Sequence, residues 1–234
     1  MQSNTSGAIL IDGLAFPSVT KILLSDPRRK TFYKSRGAKR KQGSLDSDSV
    51  STGRHRGESL HEAFAQYITT GECDVPEIYI PYWDNLYRFI SPLNIQPVWA
   101  ERPLLPEYQH FTRGETSVIW STKDKYLGKP DLIGNIEGVN AVVEIKTSRT
   151  SYSKCFDHKK FLAYGEFYSY AHSAMQVAAY AKAWTERTKQ KIDCGIVINV
   201  MPDGLQFFTI EYPEMQLRLK NFRTLARNYH KQYI

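Results

Sequence analysis

The chain has 234 residues, 41% hydrophobic and 24% charged, with a formal net charge of +7. That composition builds a globular core and excludes a disordered chain, and no run approaches the roughly 18 apolar residues of a membrane span. The three cysteines, Cys73, Cys155 and Cys194, form no C-x-x-C pair, which excludes a disulfide scaffold, a zinc ribbon and an iron–sulfur cluster. The opening stretch, MQSNTSGAILIDGLAF, has neither the basic region of a signal peptide nor the Arg-rich character of a transit peptide, so a cytoplasmic protein with no membrane association is expected.

In chain order, PSVTKILLSDP predicts a short helix capped by Ser18 or Thr20 and ending before Pro27. A second short helix is expected through RRKTFYKS, followed by an open loop over KQGSLDSDSVSTG. GESLHEAFAQYITT, residues 57–70, predicts an amphipathic helix closed by Gly71. Another helix is expected from Pro76 through IYIPYWDNLYRFIS, with Pro81 as a possible break. Beyond Ile95, the runs PVWAERPLL, TSVIWST, KYLGKPDLIGNI and NAVVEIKTS read as short strands. A long helical region follows from about Asp157 to Lys191, then a hairpin of CGIVINVM and LQFFTI around Pro202-Asp203-Gly204, then a C-terminal helix over EMQLRLKNFRTLARNYH. This succession predicts one α/β domain around a mixed sheet.

The charge is local. Between Arg28 and Arg56 stand ten basic residues against Asp46 and Asp48, and the remainder of the chain is close to neutral. The segment reads either as a solvated loop or as a polyanion contact, in which Arg36, Lys39, Arg40 and Lys41 would hold a phosphate backbone.

Chemistry concentrates in Gly128-Lys-Pro-Asp131 and in Ala141-Val-Val-Glu144-Ile-Lys146. Side chains alternate along a strand, so Glu144 and Lys146 share one face and Ile145 takes the other. An acid and a base on an otherwise apolar strand are costly to bury. Asp131 is expected to end the preceding strand and to sit beside Glu144 across a hairpin closed by IEGVN. Two carboxylates converging near a lysine make a hard-cation site. Upstream, Gly57-x-x-x-His61 lies on a helix, with His61, Phe64, Ala65 and Ile68 expected on one inward face and Gly57 allowing a close approach. Downstream, Gln176-x-x-x-Tyr180 shares a helical face beside the small residues Ala171, Ala174, Ala178 and Ala181.

Pro130-Asp131 followed by Glu144-x-Lys146 resembles the PD-(D/E)xK nuclease superfamily. The order GxxxH, GxxD, ExK, QxxxY resembles its RecB-like exonuclease branch over roughly residues 53–200. PSVTKIL and GESLHEAF are also similar to the mitochondrial genome maintenance exonuclease group and its phage and bacterial relatives. The resemblance implies a restriction-endonuclease-like α/β core, with a central mixed sheet flanked by helices. It divides the single domain into an N-terminal helical and basic segment (1–56), a nuclease core (57–211) and a C-terminal helix (212–234). It further implies Asp131 and Glu144 as catalytic metal ligands, His61 as an additional ligand, and the carbonyl of Ile145 completing the shell. Lys146 would steady the attacking water and the phosphate, while Gln176 and Tyr180 would bind DNA or brace the site. Relatives with four cysteines carry an iron–sulfur cluster; this chain would belong to the cluster-free members.

Carboxylates and a carbonyl favour Mg2+ or Mn2+, and an imidazole ligand tilts the choice toward Mn2+. Glu101 reads as a strand-edge ion pair or a further acid of the site, and Ser148 and Arg149 as phosphate contacts or ordinary turn residues. The aromatics Tyr164, Phe167, Tyr168 and Tyr170 read as core or as a base-stacking platform. The expected function is a divalent-metal-dependent exonuclease acting on single-stranded DNA ends or flaps in replication, repair or recombination. It would work as a monomer in the cytoplasm of a bacterium or phage-infected cell. The alternatives are a non-catalytic nucleic-acid-binding protein of the same fold and a structure-specific or restriction-type endonuclease.

Overall fold

A computed structural model describes residues 9–11, 13–28, 47–113, 115–149, 151–152 and 166–233. The helix expected over RRKTFYKS, the residues Arg36, Lys39, Arg40 and Lys41, and Cys155 and Tyr164 lie outside them.

The chain opens with a small hairpin, β1 (Ile9–Ile11) and β2 (Leu14–Phe16), and then α1 (Val19–Leu24). Of the two candidate caps it is Ser18 that serves, its Oγ accepting from the Lys21 N–H at 3.1 Å. Helix α2 (Ser47–Thr70) begins ten residues before the expected start, so Ser47–Gly53 is helix where a loop was expected. Ser and Asp are as favourable in the first turn of a helix as in a loop, which is why composition misread them. The helix ends where expected: Gly71 takes φ 82° and donates its N–H to the Tyr67 carbonyl at 2.8 Å.

A single 3-10 turn (Glu77–Tyr79) leads into α3 (Ile80–Ile90). Pro81 lies in its first turn, where a missing N–H breaks no hydrogen bond, so the proline starts the helix and does not split it. Then come β3 (Ile95–Ala100), a 3-10 segment (Pro106–Phe111), and two minor hairpins, β4 (Thr112–Arg113) with β5 (Thr116–Ser117) and β6 (Ile119–Ser121) with β7 (Tyr126–Gly128). The chain continues with β8 (Leu132–Ile136), β9 (Val139–Thr147), α4 (Glu166–Thr188), β10 (Cys194–Met201), β11 (Gly204–Glu211) and α5 (Tyr212–Tyr233). KYLGKPDLIGNI, expected as one run, is broken into β7 and β8 by Lys129-Pro130-Asp131, since a proline cannot donate to a ladder. Asp131 therefore stands just before β8 and does not end a strand. Helix α4 stops at Thr188 because Lys189 adopts φ 65°.

The central sheet has the order β11-β10-β9-β8-β3. Only β9 and β10 run parallel; the other neighbours are antiparallel. A parallel pair needs a crossover, and the connection through α4 provides it. Both faces are covered. Val142 and Val197 pack on one side with Ala174, Ala178 and Phe222, while Ala141, Val143 and Ile145 pack on the other with Leu60, Phe64 and Leu86. The result is the expected α/β architecture, a mixed sheet flanked by helices. Among the described residues no helix is long and apolar enough to cross a membrane.

Candidate active site

The pairing of β8 with β9 puts Leu132 opposite Val143. One step further, the same register brings Asp131 opposite Glu144, as the hairpin expectation required. Asp131 is buried, and its Oδ2 accepts the Ile145 N–H at 2.6 Å while its Oδ1 meets His61 Nδ1 at 2.7 Å. The bend before it is anchored by Trp99, whose indole N–H donates to the Pro130 carbonyl at 2.8 Å.

His61 arrives from α2 on the face it shares with Phe64, Ala65 and Ile68. The deeply buried positions of that helix are Leu60, Ala63 and Phe64. Ala65 and Ile68 lie at the margin of the core, and His61 beside them reaches Asp131 at the start of β8. A Cβ at Gly57 would meet only Thr147 Oγ1, at 3.7 Å, so no neighbour within the described chain requires a glycine there. The residue faces a cleft of about 990 Å³ that His61, Ala65, Glu101, Arg102 and Lys129 also line.

Glu101 belongs to this group. Its N–H donates to the Asp131 carbonyl at 3.1 Å, and its carboxylate lies 3.6 Å from His61 Nδ1 and pairs with Lys129. One ligating atom from each of His61, Glu101 and Asp131 lies within 4.8 Å of the others. Glu101 also has φ 57°, a left-handed conformation that costs a non-glycine residue about 1–2 kcal/mol. The sequence signal for it was an acid closing a strand before the core motifs, which a simple ion pair explains equally well. Lys129, hidden inside Gly-Lys-Pro-Asp, carried no separate signal.

Glu144 and Lys146 share the opposite face from Ile145, as alternation requires, and the Lys146 ammonium pairs with Glu144 Oε1. That same oxygen accepts from Gln176 Nε2 at 2.7 Å, and Gln176 Nε2 also lies 2.9 Å from the Tyr180 hydroxyl. Gln176 and Tyr180 are both buried, and the pair lies against the Glu144 carboxylate. A Cβ on Gly128 would lie 2.1 Å from the Tyr180 ring, which ties the glycine of one motif to the tyrosine of another. Glu144 Oε2 is buried with no hydrogen-bond partner.

The electrostatics follow from these contacts. Burial pushes the Glu144 carboxyl up, and the Asp131 charge adds to it; against the pull of Lys146, it reaches about 7. Burial disfavours a charged His61, yet the Asp131 charge and hydrogen bond outweigh it and raise the imidazole to about 10. Burial works against charge on Asp131 too, but His61 and then Lys146 hold that carboxyl below its ordinary range. Lys146 stays protonated: burial opposes its charge, and Glu144 and Asp131 overcome it.

Ser148 is half-buried and donates to Asn199 Oδ1 at 2.8 Å, while Arg149 is exposed just beyond it. Tyr170 is fully buried with its hydroxyl donating to Glu214 at 2.9 Å, so it belongs to the core.

No protein-family model matches the chain, and no curated protein matches it. Among solved structures, a "putative exonuclease" from Eubacterium rectale superposes with a TM-score of 0.52 at 12% identity, covering 93% of this chain and 81% of that one. The protein SSO0001 aligns over 95% of this chain and 79% of its own at 15% identity, with a TM-score of 0.39. The first likeness is one of fold. It agrees with the mixed α/β core, a central sheet flanked by helices, that the elements themselves build.

Proposed function

We propose that the chain is a divalent-metal-dependent nuclease that hydrolyses phosphodiester bonds of DNA, acting as an exonuclease on single-stranded ends or flaps. The observation that carries this reading is the buried Glu144, its Oε2 left without a hydrogen-bond partner beside Asp131, His61 and Lys146. An unpartnered buried carboxylate oxygen is expensive unless a cation satisfies it. The donor set, carboxylates with one imidazole, fits Mg2+ or Mn2+.

Asp131, Glu144 and His61 would hold the ion, with Glu101 at its margin. The Ile145 N–H points at Asp131, and in a strand the carbonyl of the same residue points to that same side, so it is available as a further ligand. Bound there, a divalent ion neutralises phosphate charge and makes a water nucleophilic near neutral pH. Lys146, kept protonated, would hold the scissile phosphate and steady the incoming water through its ammonium. Gln176, locked by Tyr180, would keep the Glu144 carboxylate from rotating away. The likeness to the Eubacterium rectale protein agrees with this reading, as does the local basic charge of residues 28–56.

The test is incubation of purified protein with end-labelled DNA in Mn2+, in Mg2+ and in chelator. Single-stranded linear substrate should be degraded with either metal and spared in chelator. Substrates blocked at the 5′ end, blocked at the 3′ end, or circular separate exonuclease from endonuclease and report polarity. Intact linear DNA under all metal conditions would remove the enzyme reading.

A further inference from the structure

The chemistry proposed for this site makes no use of the ion pair between Glu101 and Lys129. Both side chains line the cleft, with Glu101 23% exposed and Lys129 47% exposed. The two Glu101 oxygens face different cations: Oε1 looks toward His61, and Oε2 holds the Lys129 ammonium. Glu101 itself is held firmly by its backbone, through the hydrogen bond to Asp131. Lys129 extends into the cleft from the segment between β7 and β8. A part-exposed ammonium on a carboxylate is a weak, readily exchanged pair, whereas a divalent cation binds carboxylate oxygens tightly and at short range. Among the described residues the cleft carries Glu58, Glu62 and Glu115 on its walls, with His61 and Arg102 as its further basic groups. A phosphate entering it needs a cation there.

We infer that Lys129 is an exchangeable counter-ion: it holds Glu101 until a divalent cation takes that carboxylate, and its freed ammonium then binds a phosphate of the nucleic-acid strand in the cleft. This rests on the metal site proposed above. It makes metal and nucleic acid mutually reinforcing ligands, because whatever releases Lys129 from Glu101 prepares it for phosphate, and the coupling is reciprocal. Lysine suits the task as a flexible point charge able to move between two anions.

The test is a double-mutant cycle on Mn2+ affinity, measured by titration calorimetry on the full chain, with circular dichroism melts to show that each variant folds. Lys129→Gln should tighten Mn2+ binding by about threefold to fivefold, the worth of one exposed ion pair. In a Glu101→Gln background the same change should have no effect. Equal tightening in both backgrounds would make Lys129 a distant charge only and overturn the exchange, as would no tightening in either. Absence of Mn2+ binding by the wild-type chain would instead sink the metal site itself, a different failure. For the second half, the KM for a labelled single-stranded oligonucleotide in saturating Mn2+ should rise severalfold in Lys129→Gln; an unchanged KM overturns the phosphate contact.

Discussion

Asp131 is the residue on which the candidate site turns, because it bears on four others, Glu101 among them through its carbonyl. It aligns His61, caps the Ile145 N–H and raises the proton affinity of Glu144. Asp131→Ala and Lys146→Ala should each lower nuclease turnover by about 10²-fold or more, as removal of groups that hold charge in a transition state does. Either variant working at a near-normal rate places the chemistry elsewhere. The pH behaviour follows from His61. Its proton affinity is raised on folding from 6.5 to about 10, so the stabilisation it supplies is complete below pH 6.5 and is lost as the pH rises through 10. Thermal melts of the metal-free protein should therefore fall in midpoint across that window. Metal affinity should move oppositely, tightening with pH, since a ligating imidazole must shed its proton. Gly128 gives a purely steric prediction. Its Cβ would collide with the Tyr180 ring, so Gly128→Ala should cost about 1–3 kcal/mol in urea denaturation and loosen the brace on Glu144.

At the scale of elements, β10 carries one polar residue, Asn199, within an otherwise apolar run. Asn199 is fully buried, yet its amide accepts from Ser148 and donates to Gln206 at 3.0 Å. Gln206 in turn takes the Tyr152 N–H at 2.5 Å and donates back to the Tyr152 carbonyl at 3.1 Å. The chain ties the end of β9 to β10 and β11, just beyond Lys146. Asn199→Ala removes both hydrogen bonds and opens a gap at a fully buried position, and should destabilise by about 2 kcal/mol in chemical denaturation, far more than an exposed Asn→Ala change. Reading CGIVINVM as a strand was straightforward from its β-branched run, but the asparagine's partner Ser148 was not, because it stands just past the end of β9, 51 residues away. The same division applies to helices. Gly71 ended α2 legibly, since an αL cap is a local demand, whereas its start was obscured by residues that serve caps and loops alike.

Over the whole molecule, the charge distribution is the least balanced property. The ten basic residues from Arg28 to Arg56 immediately precede and enter the helix bearing His61. Neutralising Arg36, Lys39, Arg40 and Lys41 together should weaken binding of single-stranded DNA and flatten its dependence on log salt by up to about 3, since each phosphate no longer neutralised removes about 0.7 from the slope. Mn2+ affinity should be unchanged by the same substitutions. An unaltered salt slope would return the segment to a solvated loop.

Much of this architecture was present in the chain as pattern. Alternation in AVVEIK placed Glu144 and Lys146 together and Ile145 opposite, and helical spacing placed Gln176 beside Tyr180, because both periodicities are properties of the local backbone. Spacing also grouped Gly57 and His61 and set His61 on the face of Phe64, Ala65 and Ile68, but the depth of that face, centred on Leu60, Ala63 and Phe64, was drawn by what packs on it. Three things were decided only when distant segments met. The tertiary structure gave Glu101 its neighbours, Gln176 its hold on Glu144, and Lys129 its place on Glu101. Each depends on the separation of side chains far apart in sequence, and no local regularity of the chain encodes such a distance.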